Sequence, residues 1–459
     1  MIHKRYIWLL ALVTLAAACG ITKPYRSPEV DTKNLFRDPQ RSDTNTIAAR
    51  PWQTFFTDTL LQQLIARGIR ENLDLRIAMQ RIVAAQAALK QSKLAFLPDV
   101  NANASVKQSR LAFPQGYGLI NTATQYDVNV AASWEVDVWG KLRSGKRAAQ
   151  AALLGTVAAQ QAVQSSLVAD IAASYYSLLA LDQQLLVLQQ TLTNRGEDVS
   201  SMKELKAAGV VNGAAVVQSE ANQYAAAVAI PDVKRQIRET ENALSILLAL
   251  PPGPVARGSI TTQQLPQDLS TGIPAQLLQY RPDVKAAEYA FRNAFENTNI
   301  ARTAFYPSLN ITAAGGFTSF DFSQWFTDAG LFGNVVGGLT QPIFNRGLNK
   351  ARLTTAKARQ EEALYNFSKT MLTAGKEVSD ALYSLTSASE KKESREKQLA
   401  SLEKAVDFTK ELLRYSSSTN YTDVLTSEQN LLSAQIGSIN DRLQQWQAVI
   451  ALYRALGGR

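Results

Sequence analysis

At 459 residues the chain is long enough for two or three ordinary domains, and its single cysteine, Cys19, excludes a disulfide within one chain. The formal charge of +9 is spread along the sequence and forms no basic patch with interleaved aromatics, which excludes the usual footprint of a nucleic-acid binder. His3 is the only histidine and lies in a segment read below as a cleaved signal. The mature chain then has neither imidazole nor free thiol, so Ser–His and Cys–His catalysis and most zinc sites drop out, and no cofactor is expected.

The first residues read as an export signal. His3, Lys4 and Arg5 are basic, and Tyr6 to Ala18 form an apolar run too short to span a bilayer. That run ends Leu15-Ala16-Ala17-Ala18-Cys19-Gly20, small residues before a cysteine, as a lipoprotein signal peptidase requires. Residues 1–18 are therefore expected to leave, lowering the formal charge to +7 because Lys4 and Arg5 go with them. Cys19 is the expected lipid attachment. Gly20 lacks the Asp-type retention signal, which favours the outer membrane. The alternative is a cysteine inside an ordinary secretory signal. No later stretch is apolar for 18 consecutive residues, so no transmembrane helix is expected after the signal.

After an extended segment, 19–57, a helix is predicted from Leu60 to Ala95, ended by Pro98, since proline lacks the amide donor and disfavours helix in the residue before it. Val100, Ala102, Ala104 and Val106 alternate with polar residues. From Tyr126 the alternation is stronger: Tyr126, Val128, Val130, Ala132, Trp134, Val136 and Val138 are apolar or aromatic, while Asp127, Asn129, Ser133, Glu135 and Asp137 lie between them. Period two over this length predicts a strand with lipid on one face and water on the other. A soluble β-domain is the alternative. The connecting loop, Gln108 to Thr124, carries Phe113 and Tyr117.

A very long helix is predicted from Gly140 to Ala208, where Leu178, Leu181, Leu185, Leu188, Leu192, Val199 and Met202 keep three-four spacing broken by Arg195. As one helix it reaches roughly 100 Å at 1.5 Å per residue. The chain reverses at Ala208-Gly209-Val210 and returns along Val211 to Leu250, with Pro231 expected to kink the return. Pro251-Pro252-Gly253-Pro254 opens a linker, 251–273.

The order then repeats. A helix is predicted from Pro282 to Phe305, then Pro307, then strands around Leu309, Ile311 and Ala313 and from Phe332 to Phe344. The loop between them, Gly316 to Leu331, carries Phe320, Phe322, Trp325 and Phe326. A second long helix carries Leu364, Phe367, Met371, Ala374, Val378, Ala381 and Leu385, and later Leu399, Leu402, Val406 and Leu413. It turns at Ser416 to Asn420 and returns along Tyr421 to Leu456. Asp74 falls on Asp283, Pro98 on Pro307 and Asn101 on Asn310 at an offset of 209; Gly140 falls on Gly347 and Tyr176 on Tyr383 at 207. A register shared through helix, proline, strand and helix marks an internal duplication, 58–250 and 274–459.

Two strand pairs make four strands, too few to close a membrane barrel alone, so the chain is expected to oligomerise. Two copies would give eight strands and three would give twelve.

Several segments carry a resemblance, in order, over essentially the whole mature chain. They are Pro51-Trp52-Gln53-Thr54-Phe55-Phe56, Asn72-Leu73-Asp74-Leu75 with Arg81, and Leu277-Leu278-Gln279-Tyr280-Arg281-Pro282-Asp283-Val284. Ile230-Pro231 with Glu241-Asn242-Ala243-Leu244, and the ending Leu452-Tyr453-Arg454-Ala455-Leu456-Gly457-Gly458, complete the set. The sequence resembles the TolC-like outer-membrane efflux factors, lipoprotein branch. The resemblance implies a mainly α fold with membrane β: a long antiparallel coiled-coil α-barrel, plus four strands per protomer in a twelve-stranded trimeric β-barrel. It implies a homotrimer in outer-membrane lipid, a periplasmic adaptor protein docked at the turns Gly209, Val210, Ser417 and Ser418, and an inner-membrane pump. The implied function is a passive exit duct for small toxic compounds or metal ions, not an enzyme. A duct for exported protein, or a structural envelope lipoprotein without a pore, are the alternatives.

The family commonly narrows its pore on the helix after the second turn, which makes Thr422, Asp423, Thr426, Glu428 and Gln429 gate candidates. Thr426 stands where relatives often carry Asp, and Gln429 where many carry Arg.

Overall fold

The computed structural model describes residues 21–28, 51–110, 122–266, 280–415 and 420–458. The signal segment and Cys19 lie outside them. In chain order the elements are α1 (Trp52–Phe55), α2 (Thr59–Glu71), α3 (Leu73–Leu94), β1 (Asp99–Arg110), β2 (Thr122–Val136), α4 (Lys141–Ala207) and α5 (Gly213–Leu247). After these come α6 (Pro282–Thr303), β3 (Ser308–Ser319), β4 (Leu331–Thr340), α7 (Leu348–Tyr415) and α8 (Tyr421–Ala455). Two compact units cut across the sequence repeats. One draws on 1–29, 81–157 and 286–368, the other on 30–80, 158–285 and 369–459.

The first unit holds a four-stranded antiparallel meander in the order β1-β2-β3-β4. The even residues of β1 oppose the even residues of β2, Val106 on Tyr126 and Val100 on Ala132, so their apolar faces merge. β2 passes the same face to β3, Trp134 on Ile311 and Val136 on Leu309, and β3 passes it to β4, Leu309 on Leu339. β3 approaches β2 closely at Gly316, where an added Cβ would come within 2.6 Å of the Asn129 Cα. Among the described residues β1 and β4 are each hydrogen-bonded on one side only, and almost every residue in them is exposed.

Each hairpin is seated by a side chain on the backbone that precedes it. Trp134 Nε1 donates to the Phe96 carbonyl at 2.9 Å, and Gln341 Nε2 donates to the Phe305 carbonyl at 3.3 Å. These partners are the duplicates of one another. The same unit ties down the chain just after Cys19. Asn299 clamps the backbone of Lys23 at both its N–H and its C=O, and Tyr25 packs on Phe291 and Phe295.

The second unit is helical. Its core gathers Trp52, Phe56 and Ile65 with Ile171, Tyr175, Tyr176 and Leu178 of α4, Leu244 of α5, and Trp446, Val449 and Tyr453 of α8. Tyr176 stacks on Trp446 at 4.0 Å between centroids, inclined by 10°. Burying each side chain of this size contributes roughly 2–3 kcal/mol before entropy is charged. Asp58 caps α2 by accepting from Leu60 N at 2.8 Å, and the same carboxylate accepts from Tyr175 Oη at 2.8 Å. Duplicate positions again make duplicate contacts: Asn72 Nδ2 donates to the Leu247 carbonyl, and Arg281 Nη1 to the Ala455 carbonyl, each at 3.0 Å.

Several expectations change. The helix predicted from Leu60 to Ala95 is two helices, because Asn72 leaves the helical conformation to cap α3, accepting from Leu75 N at 3.0 Å. The return helix runs through Pro231 as expected, with its apolar face buried on both sides of that residue, at Ala226 and Val233. β1, β2 and β3 reach further toward their loops than their alternation suggested. β1 reaches Arg110 and β2 starts at Thr122, so Phe113 and Tyr117 fall outside the described residues. β3 extends to Ser319, because glycines at 315 and 316 still pair in the ladder, and the loop after it shortens to a pair of 3-10 turns. β4 stops at Thr340, short of the expected Phe344. One window of α4 is apolar enough to pass as a membrane span by composition, but Leu167, Val168, Ile171 and Ala172 are buried in the core of their unit.

α5 and α8 end alike. The Leu250 amide reaches the Ser245 carbonyl at 2.8 Å and the Gly458 amide reaches that of Tyr453 at 3.0 Å, each after one left-handed residue, Ala249 (φ 53°) or Gly457 (φ 94°). Only the second end carries the glycine that this conformation favours. Ala249→Gly should therefore raise stability by up to about 1 kcal/mol. Gly457→Ala should lower it by about 2 kcal/mol or more, since its Cβ also meets the Tyr280 carbonyl at 3.0 Å. The thermal unfolding midpoints of the two variants check both signs.

Candidate functional site

Two places carry the predicted function: the open sheet described above and the paired helix turns of the second unit. At the first turn α4 ends in a Schellman motif. Gly209 takes φ 76°, its amide reaches the Lys206 carbonyl at 3.0 Å, and the Val210 amide reaches that of Leu205 at 2.9 Å. Val210 is left 59% exposed at the tip of the turn. Asn212 then starts α5 by accepting from Ala215 N at 3.1 Å. Of the second turn, Ser417 and Ser418 lie outside the described residues. α8 begins beyond them with a reciprocal cap: the Asn420 side chain accepts from Asp423 N, and Asp423 Oδ2 accepts from Asn420 N, both at 3.2 Å.

The gate candidates separate into two groups. Thr422, Asp423, Thr426 and Gln429 are exposed. Their spacing of three and four places Thr422, Thr426 and Gln429 along one stripe of α8, with Asp423 beside it. Thr426 Oγ1 is turned back onto the Thr422 carbonyl at 2.8 Å. Glu428 leaves this group. Its carboxylate is only 12% exposed and meets Lys410 Nζ at 2.5 Å, and Asp198 meets the same ammonium at 3.1 Å. Three helices, α4, α7 and α8, thus converge on one cation.

A small apolar core of Met202, Val216, Leu413, Tyr421 and Val424 packs with Leu205, Val211 and Ala215. Arg195, which breaks the leucine stripe of α4, is buried and donates to the Asn222 carbonyl of α5 at 2.6 Å. Sequence reasoning found Glu428 but missed its partners. The signal was present: Lys410 continues the spacing of Leu402, Val406 and Leu413, so a cation sits in an apolar stripe.

Burial pushes the Glu428 carboxyl upward, the bond to Lys410 pulls it down, the neighbouring Asp198 charge pushes it up again, and the outcome is raised. Burial lowers Lys410, and its bond to Glu428 and both carboxylate charges more than reverse this. A raised carboxyl binds its proton more readily in the folded chain than in the unfolded one. It contributes stability below the ordinary carboxylate range and loses it as pH rises through the folded value. Lys410 is the cation that offsets the charge of Glu428. Lys410→Met should cost about 2 kcal/mol at neutral pH, under the range for a fully buried pair because Lys410 is 31% exposed, and acidification should recover much of it. Glu428→Gln should cost little, since Lys410 keeps Asp198. Thermal melts of both variants at about pH 7 and about pH 5 read the difference.

The chain matches the family model described as outer membrane efflux protein over residues 64–250 and 273–458. It is 29% identical to the toluene efflux pump outer membrane protein TtgF of Pseudomonas putida, over 99% of this chain and 97% of that one. It is 28% identical to the cation efflux system protein CusC of Escherichia coli, over 96% of each chain. The crystal structure of a membrane protein from Pseudomonas aeruginosa superposes with a TM-score of 0.87 at 26% identity, covering 96% of this chain and 100% of that one.

Proposed function

The chain belongs to the outer membrane efflux protein family, and on that premise we propose that three copies form one exit duct of a tripartite pump. The observation that carries this reading is the open sheet. Its four strands have one continuous apolar face, and its two edges have no partner among the described residues. In hydrocarbon each unpaired backbone group costs several kcal/mol, so the sheet must close with further copies. Three copies supply twelve strands around a lumen wide enough for water, with Cys19 lipids holding the assembly in the outer membrane.

Solute enters at the helix turns and leaves through the barrel without a covalent step or a nucleotide. The exposed turn with Val210, together with Ser417 and Ser418 of the segment joining α7 to α8, is where a periplasmic adaptor protein docks and connects an inner-membrane pump. The stripe of Thr422, Thr426 and Gln429 with Asp423 lines the entrance. Three copies of Asp423 make a negative ring that favours cations. Glu428 serves the packing of the entrance helices through Lys410. The cargo is small toxic compounds or metal ions, the classes in the names of the toluene and cation relatives.

The test is conductance of the purified lipoprotein in planar bilayers. Wild type should show small cation-preferring steps, and Asp423→Asn should lower cation preference several-fold while leaving trimer yield unchanged. A protein that never conducts, even with Asp423 and Gln429 replaced by alanine, would favour the structural lipoprotein reading instead. Cys19→Ser should leave the chain without acyl label and reduce its yield in outer-membrane fractions.

A further inference from the structure

The trimer proposed above leaves open which residues meet across the subunit boundary, and the duplication supplies them. We infer that β4 of one copy pairs antiparallel with β1 of the next, with Thr340 opposite the partner's Asn103. In the same register Leu339 stands opposite the partner's Ala104, and Gly337 opposite the partner's Val106.

The inference follows from the hairpins. Asp99 pairs with Ser133 in the first hairpin and Ser308 with Thr340 in the second. Ser308 lies 209 residues after Asp99, and Thr340 lies 207 after Ser133, so β3 repeats β1 at one offset and β4 repeats β2 at the other. The seating bonds obey the same two numbers. Gln341 is 207 residues past Trp134, and its acceptor Phe305 is 209 past Phe96. The β2–β3 ladder is then the joint between one repeat and the next, and it is present in the chain. Ser133 faces Thr312, Ala132 faces Ala313 and Val130 faces Gly315. Moving the first member of each pair forward by 207 and the second back by 209 gives the three pairs named above.

Toward Thr340 the chemistry of both edges agrees with this register, although neither edge was used to obtain it; further along, Val335 meets Gln108 and Val336 meets Lys107. The apolar face of β4 at Leu339 meets the apolar face of β1 at Ala104, and the polar face at Thr340 and Asn334 meets Asn103 and Ser109. A slip of one residue would set Leu339 against Asn103 or Ser105 and mix the two faces. A slip of two would keep the faces, so only an experiment separates it. This register rests on the trimeric reading of the function.

Full-length lipoprotein in detergent, carrying Thr340→Cys together with Asn103→Cys, Asn101→Cys or Ser105→Cys, is oxidised mildly and run on a non-reducing gel. The adjacent pair Leu339→Cys with Ala104→Cys covers the other class of antiparallel position. Strands β1 and β4 lie about 14 Å apart across one sheet, too far for a disulfide within a copy, so every bond reports a neighbour. The inference expects covalent trimer from Asn103→Cys or Ala104→Cys, several-fold above either slipped pair. Trimers by size that link best at Asn101→Cys or Ser105→Cys, or at no pair, overturn the register alone. Monomers by size with no link at any pair overturn the trimer as well.

Discussion

Everything in this molecule answers to the backbone N–H and C=O groups along the outer edges of β1 and β4. Water could satisfy them; hydrocarbon cannot. With one apolar face running from Val106 through Tyr126 to Leu309 and Leu339, the sheet is built for lipid, so its edges require another strand, and none is found among the described residues. The near-complete exposure of β1 and β4, against the half-buried β2 and β3, is the imprint of that missing neighbour.

The duplication resolves the difficulty economically. One arrangement of helix, hairpin, long helix and return helix is used twice, and the contact that joins the two uses within a chain can also join one chain to the next. Detailed bonds survive the divergence of the side chains that make them. Tryptophan and glutamine seat the two hairpins on equivalent carbonyls, and asparagine and arginine hold equivalent helix ends. Geometry has been kept while chemistry drifted. At Gly140 and Gly347 both are kept, since each is a glycine with a left-handed φ near 80° just ahead of a helix of 67 or 68 residues.

Long helices have their own requirement. An uninterrupted apolar seam would hold α4, α5, α7 and α8 in one register without any means of loosening near the turns. Here the seam is broken by charge: Arg195 on α4, and Lys410 between Asp198 and Glu428. A buried ion cluster is weaker than the hydrophobic packing it replaces, because desolvation offsets most of its attraction. It also fixes which faces meet, since a misaligned helix would leave a charge unpaired. The layer near the Gly209 turn is therefore specific in alignment and modest in strength.

Much of this was legible beforehand. Period-two alternation from Tyr126 to Val136 identified a membrane strand, three-four spacing identified the long helices, and fixed offsets identified the repeat, because each pattern is set by local backbone geometry. The break at Asn72 and the end of β4 at Thr340 were not legible, since packing and ladder pairing overrode local preference there. The gate candidates divided in the same way. The family resemblance named Thr422, Asp423, Thr426, Glu428 and Gln429 as one group. Folding drew Glu428 toward Lys410 and Asp198, residues 18 and 230 positions away in the chain, and left the others at the surface. Periodicity is a property of neighbours along the chain and can be read from it. Which charge meets which across three helices depends on their rotation and relative register, and only the packed structure settles that.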